Sequence, residues 1–178
     1  MRSFFMKMRG EGKSPPSVSL KEVLISWVGA LLGIFAVGFL GHLVQLEQQD
    51  ILFLIGSFGA SAVLLYGTPG VPLAQPRNLM GGHILSALTG VLIYGWIADP
   101  LYLSGALSVA TAIAVMHLTK TTHPPRGATA LIALIGSERV HQFCFLYVLS
   151  PVALGALIML VVALIVNNLT NFRRYPVF

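Results

Sequence analysis

The sequence predicts an all-α membrane protein with about six membrane-embedded helices, two of them short or discontinuous, arranged as a 3+3 inverted repeat. Three observations carry this expectation. Charge-free runs cover 23–46, 51–76, 78–98, 100–119 and 140–172, and only 10% of the 178 residues are charged, where a soluble domain carries about 25%. A tetrapeptide recurs: Gly59 to Ala62 reads Gly-Ala-Ser-Ala, and Gly127 to Ala130 reads Gly-Ala-Thr-Ala. Five of the eleven basic residues, Arg2, Lys7, Arg9, Lys13 and Lys21, precede the first apolar run, as expected of a cytoplasmic flank.

In chain order, a basic cytoplasmic segment over 1–22 leads into an integral domain over 23–168 and a cytoplasmic tail over 169–178. Spans are expected at 23–44, 51–67, 79–98, 101–119, 124–137 and 143–168. The first exceeds a signal-peptide core of about 7–15 residues and lacks a cleavage site, so it is expected to remain as an anchor. Gly29 and Gly33 within it form a GxxxG pair suited to close packing inside the protomer or across a homodimer. The second is interrupted by Gly56 and Gly59. The stretch 69–78 is too rich in proline to be helical, and Asn78 is placed to cap the helix carrying Gly81, Gly82 and His83. A helix over 124–137 reaches only about 20 Å against an apolar layer of about 30 Å. It begins at Pro124, with Thr121 or Thr122 supplying the capping oxygen. His42 and His117 near helix ends read as interfacial, and Asp50, Asp99 and Glu138 as solvated.

Charge placement favours six crossings. They put ten basic residues inside and Arg139 alone outside, whereas two re-entrant short segments give seven against four. The chain then divides into 23–98 and 101–168, each a long helix, a short small-residue helix and another long helix. An odd number of spans inverts the second unit, a recurrent transporter design. A bacterial inner membrane with both termini cytoplasmic is the expected location. The partners are the lipid bilayer, a small inorganic anion and, at most, a second copy in a homodimer; the N-terminal clustering of charge argues against nucleic acid. The single Cys144 excludes disulfide and CxxC chemistry. No metal or other cofactor is expected.

The polar residues among these apolar runs define the candidate site. The free N–H groups and positive dipole end of a helix starting at Pro124 and Pro125 suit an anion. Gly127 allows close backbone approach, Thr129 offers a hydroxyl, Arg126 a permanent charge, and His123 a proton or hydrogen bond. From the first half come Ser57, Gly59 and Ser61, and from the proline-rich turn and the following helix Gln75, Arg77, Asn78 and His83; Thr122 completes the set. A structural account of these groups is a helix cap, an interfacial anchor at Arg77 and Arg126, and packing serines.

These same blocks, Gly56 to Ala62, Pro72 to Asn78 with Gly81, Gly82 and His83, and Thr122 to Ala130, resemble the HPP family of integral membrane proteins, named for the motif at His123, Pro124 and Pro125. The resemblance covers roughly 51–168. Members from chloroplasts and cyanobacteria are associated with nitrite transport, so the resemblance implies a carrier or channel for nitrite or a similar anion. Absence of an ATP-binding loop leaves an ion gradient as the energy source, with proton coupling through His123 or His83 one option. The alternatives are a membrane scaffold or anion sensor without transport and an intramembrane enzyme. Catalysis is not expected: Gly-x-Ser-x-Gly and His-Glu-x-x-His are absent, and the acids lie outside the apolar runs, away from any histidine base.

Overall fold

Five stretches of this chain are long and apolar enough to cross a membrane, and in the computed structural model each is a helix. The structure describes residues 7, 8 and 17–178, and of Arg126 only the backbone. Most of the basic 1–22 segment therefore lies outside the described residues. α1 (Leu20–Leu43) opens on a capping box in which Ser19 and Glu22 satisfy each other's backbone N–H groups. α2 (Gln48–Ala62) continues into a π-helical turn, Val63–Gly67. α3 (Pro76–Trp96) and α4 (Leu101–Thr119) follow. After a non-helical stretch come the short α5 (Arg126–Ile135) and α6 (Glu138–Phe143). A π-helical turn, Val148–Ala153, leads into α7 (Leu154–Asn168), and no strand occurs among the described residues.

Three expectations about helix ends are corrected. Gly56 and Gly59 do not interrupt the second helix, which is continuous from Gln48 to Gly67. A glycine inside a helix costs about 1 kcal/mol, less than the several kcal/mol of leaving backbone groups unpaired in an apolar layer. At about 1.5 Å per residue those residues span about 30 Å, the full apolar thickness. The third helix starts at Pro76 after Gln75, not at an Asn78 cap. The fifth starts at Arg126, with no side-chain cap from Thr121 or Thr122. Each proline pushes the residue before it toward extended backbone, which keeps His123 and Pro124 out of the helix.

Hydrogen bonds sort the connections into two ends of the bundle. At one end Ser26 Oγ donates to Tyr66 O (2.7 Å), Arg173 to Tyr66 O and Glu22 O (2.9 and 3.1 Å), Tyr175 Oη to Ala74 O (2.8 Å) and Arg77 to Thr119 O (3.0 Å). At the other, Ser137 N and Oγ donate to Asp50 (2.9 and 2.5 Å). The stretch 120–137 thus leaves the first end at Lys120 and arrives at the second at Ser137. Lys120 adopts the left-handed conformation (φ 54°, ψ 41°) that terminates α4, with Thr121 N donating to Met116 O at 2.9 Å.

α5 sits in the middle, against α2, α3 and α4. Its closest approach is to Gly90 of α3, where an added Cβ would collide with the Ala130 carbonyl. The Gly29 and Gly33 pair packs within the protomer: a Cβ on Gly29 would lie 2.6 Å from the Tyr66 ring, and Gly33 faces Tyr66 and Met159.

Candidate functional site

Ser57 and Ser61 are one turn apart on α2, and that spacing puts both hydroxyls on the face toward α5. Thr129, in the first turn of α5, answers Ser57, with Oγ to Oγ1 at 2.7 Å. His83, two turns into α3, lies between the two repeated tetrapeptides. Its Nδ1 is 3.0 Å from Thr129 Oγ1 and its Nε2 is 2.9 Å from Ser61 Oγ. Ser61 in turn meets His123 Nε2 at 2.9 Å, and His123 Nδ1 lies 2.6 Å from the Leu73 carbonyl. The third residue of each tetrapeptide, Ser61 and Thr129, therefore holds one nitrogen of the same imidazole.

None of Ser57, Ser61, His83, His123 and Thr129 is more than 1% exposed. Phe58 stacks on the His83 ring at 4.4 Å between centroids and fixes its plane. The terminal carbonyl sets the polarity of the whole chain. Leu73 O can only accept, so His123 Nδ1 carries the proton and, in the neutral ring, Nε2 accepts from Ser61. Ser61 Oγ then accepts from His83 Nε2–H, His83 Nδ1 accepts from Thr129, and Thr129 accepts from Ser57. With both rings neutral, these bonds point one way, from Ser57 to Leu73. Tyr147 Oη donates to Thr129 O at 3.1 Å and pins the first turns of α5.

Several expected site residues lie elsewhere. Gly59 has nothing within 4 Å of its Cβ position, so it makes no close approach there. Gly127 packs on Val109 of α4, 3.3 Å from an added Cβ. Gln75 is buried but structural, donating to Pro69 O and Val71 O (both 3.0 Å) and accepting from Val177 N (2.8 Å). Arg77 is exposed and satisfies the C-terminal carbonyl of Thr119. Asn78 donates to the Thr122 carbonyl at 2.7 Å, so this pair clips α3 to the stretch ahead of α5. Pro124 is exposed, and Pro125 is buried with its carbonyl 3.5 Å from Ser57 Oγ. The Arg126 side chain lies outside the described residues.

An anion seat between two helix tips is corrected by this geometry. α2 has no terminus near Gly56 and contributes mid-helix hydroxyls, so α5 supplies the single helix start. The lipid-side face of the turn is an apolar groove of about 410 Å³ lined by Ala60, Val63, Leu64, Pro124 and Pro125. A separate cleft of about 190 Å³ beyond Tyr147 is also mainly apolar and holds none of the predicted site residues. Asp50, expected to be solvated, is 1% exposed and receives both bonds from Ser137. Position in a connection gave no signal for that pairing, which joins residues far apart in sequence.

The model of the HPP transmembrane region matches residues 15–176. The chain belongs to the HPP transmembrane family. Two curated relatives, both named only as transmembrane proteins of Dictyostelium discoideum, are 46% and 42% identical over 98% of this chain. The chain spans 57% and 62% of their lengths. No solved structure matches. In this HPP chain the family's naming motif is the turn that carries His123 to Ser61 and breaks the backbone ahead of α5.

Proposed function

We propose that this HPP protein is a transporter or channel for a small inorganic anion, with nitrite the first candidate substrate. One observation carries the reading: a helix start with no side-chain cap lies inside an apolar bundle, ringed by buried hydroxyl and imidazole groups. The N–H groups of its first turn are the donors an anion needs in place of water. Arg126 occupies the first position of this helix, and its fixed positive charge is the sequence's own complement to a negative guest. Because Ser57 and Thr129 satisfy each other in this arrangement, loading exchanges their mutual bond for bonds to the anion.

Six crossings fit this reading, the sixth being the partly extended stretch 120–137 that joins opposite ends of the bundle. The neighbour pattern also supports an inverted repeat of α1–α2–α3 with α4–α5–α7: α1 packs on α2 as α4 packs on α5, and α1 on α7 as α3 on α4. Basic residues Lys21, Arg77, Lys120, Arg173 and Arg174 gather at the end that also holds the start of α1 and the C-terminal tail, which orients that end toward the cytoplasm. The Dictyostelium relatives lend nothing to a bacterial inner membrane. In this reading the protein is no enzyme, since the histidines are oriented by a carbonyl and hydroxyls rather than by a carboxylate.

The test is uptake of nitrite, nitrate, formate and chloride into proteoliposomes holding the full chain, with Arg126→Ala alongside. Saturable nitrite flux that falls in Arg126→Ala supports the proposal. Saturable anion binding without flux replaces it with an anion sensor, and equal flux in the variant removes Arg126 from the site.

A further inference from the structure

The buried chain of hydrogen bonds has a property that anion binding does not require: it is continuous from the middle of the bundle to one of its ends. It runs from Ser57 through Thr129, His83, Ser61 and His123 to the Leu73 carbonyl, with successive separations of 2.7, 3.0, 2.9, 2.9 and 2.6 Å. Leu73 belongs to the short 3₁₀ turn Pro72–Ala74, in the connection that lies beside the C-terminal tail. Ser57 is seven residues from Asp50 along α2, a rise of about 10 Å, so the chain serves one half of the bundle only.

We infer that this chain is a proton half-wire, linking the anion seat at the start of α5 to the end of the bundle that bears the C-terminal tail, and that it makes anion movement proton-coupled. The inference rests on the transport reading given above. A simple packing role explains small hydroxyls in a membrane interior. It does not explain two imidazoles that alternate with hydroxyls so that every link pairs one donor with one acceptor. Ionisable side chains inside spans are costly and mark ion and proton paths.

The proton balance is explicit. A proton accepted at Ser57 Oγ displaces the Ser57 proton to Thr129, the Thr129 proton to His83 Nδ1, the His83 Nε2 proton to Ser61, and the Ser61 proton to His123 Nε2. The His123 Nδ1 proton then leaves to water when its contact with Leu73 opens. One proton enters, one leaves, and each oxygen and nitrogen ends with the charge it began with. The four bonds from Ser57 to His123 now point the other way and the His123–Leu73 bond is lost, until rotation of the hydroxyls and turnover of the two rings reset the wire. Among the described residues, the ionisable groups turned toward His83 are His123, at 5.7 Å between ring centroids, and Tyr147, which reaches it through Thr129. α2 presents Ser61 and the Phe58 ring on this side, and its one carboxylate, Asp50, is held by Ser137.

The experiment uses the full chain in vesicles loaded with a pH-sensitive dye, with protein-free vesicles subtracted to remove diffusion of nitrous acid. An inward nitrite gradient is expected to carry about one proton per nitrite. Ser61→Ala and Thr129→Val are expected to lower that ratio roughly tenfold, while Thr129→Ser, which keeps the hydroxyl, retains it. Monodisperse elution of each variant shows that it folds. Nitrite flux with no accompanying proton, or an unchanged ratio in Ser61→Ala, overturns the wire and leaves the anion reading standing. If nitrite does not move, a potassium diffusion potential drives protons alone: protein-dependent proton flux that Ser61→Ala abolishes keeps the wire and removes the anion reading, and no proton flux removes both.

Discussion

The two tetrapeptides are nearly the same and sit in opposite surroundings. Gly59-Ala60-Ser61-Ala62 lies inside α2, whose backbone runs unbroken for 20 residues. Gly127-Ala128-Thr129-Ala130 opens α5, a helix of 10 residues preceded by two prolines. In α2 the backbone is fully paired along its own axis, so that half offers only side chains, Ser57 and Ser61. In α5 the helix itself begins beside the Thr129 hydroxyl, and the N–H groups of a first turn have no partner further back in their own helix. The difference teaches that the small-residue motif sets close packing and hydroxyl placement, while the prolines decide whether backbone donors are also exposed to the interior.

Substitutions at four positions break or sharpen that comparison. The largest effect is expected at the contact of α5 with α3: Gly90→Ala places a methyl against the Ala130 carbonyl, and the backbone has to move, at a cost of about 3 kcal/mol. Thermal unfolding in detergent reads this as a lowered midpoint, and an unaltered midpoint would show that α5 is not seated so tightly. Thr129→Val comes next. It removes the hydroxyl that Ser57 and His83 Nδ1 both bond, at a cost of about 2 kcal/mol, and Thr129→Ser should recover most of it.

Asp50→Asn tests the far end of α5, where α2 accepts both Ser137 bonds. Loss of a charge-assisted pair there is expected to cost about 1.5 kcal/mol, seen as faster amide exchange over 136–143 than in the unmodified protein. The smallest effect belongs to Gly59→Ala. Nothing lies within 4 Å of that Cβ position, so the change should be neutral or stabilise α2 by up to about 1 kcal/mol through helix propensity. A marked loss of stability or of anion flux in Gly59→Ala would restore Gly59 to the site.

Much of the site was legible because its residues are polar in apolar runs. Ser57, Ser61, His83, His123 and Thr129 stand out for that reason, and all five meet. Asn78 and Arg77 stand out equally and turn out to be clips, since a polar side chain at a helix start serves a carbonyl across the turn as readily as a ligand. Leu73 and Tyr147 were invisible: one contributes only a backbone oxygen, and the other lies at the edge of a long apolar run where a tyrosine is ordinary. Asp50 was misread as solvated because its partner is the backbone and hydroxyl of Ser137, at the same end of the bundle but 87 residues away in sequence.

Composition and charge-free runs by themselves determined that this chain folds as apolar helices within a membrane, because unpaired backbone is too costly there for any other local choice. The prolines determined where helix gives way to extended chain ahead of α5. Tertiary packing alone decided that α2 stays whole across its glycines, that His83 bridges the two tetrapeptides, and that five buried polar side chains close into one directed series. Those outcomes depend on which groups meet across helices, and hydrogen-bond pairing over distances of 22 to 72 residues in sequence is fixed by geometry that no local pattern encodes.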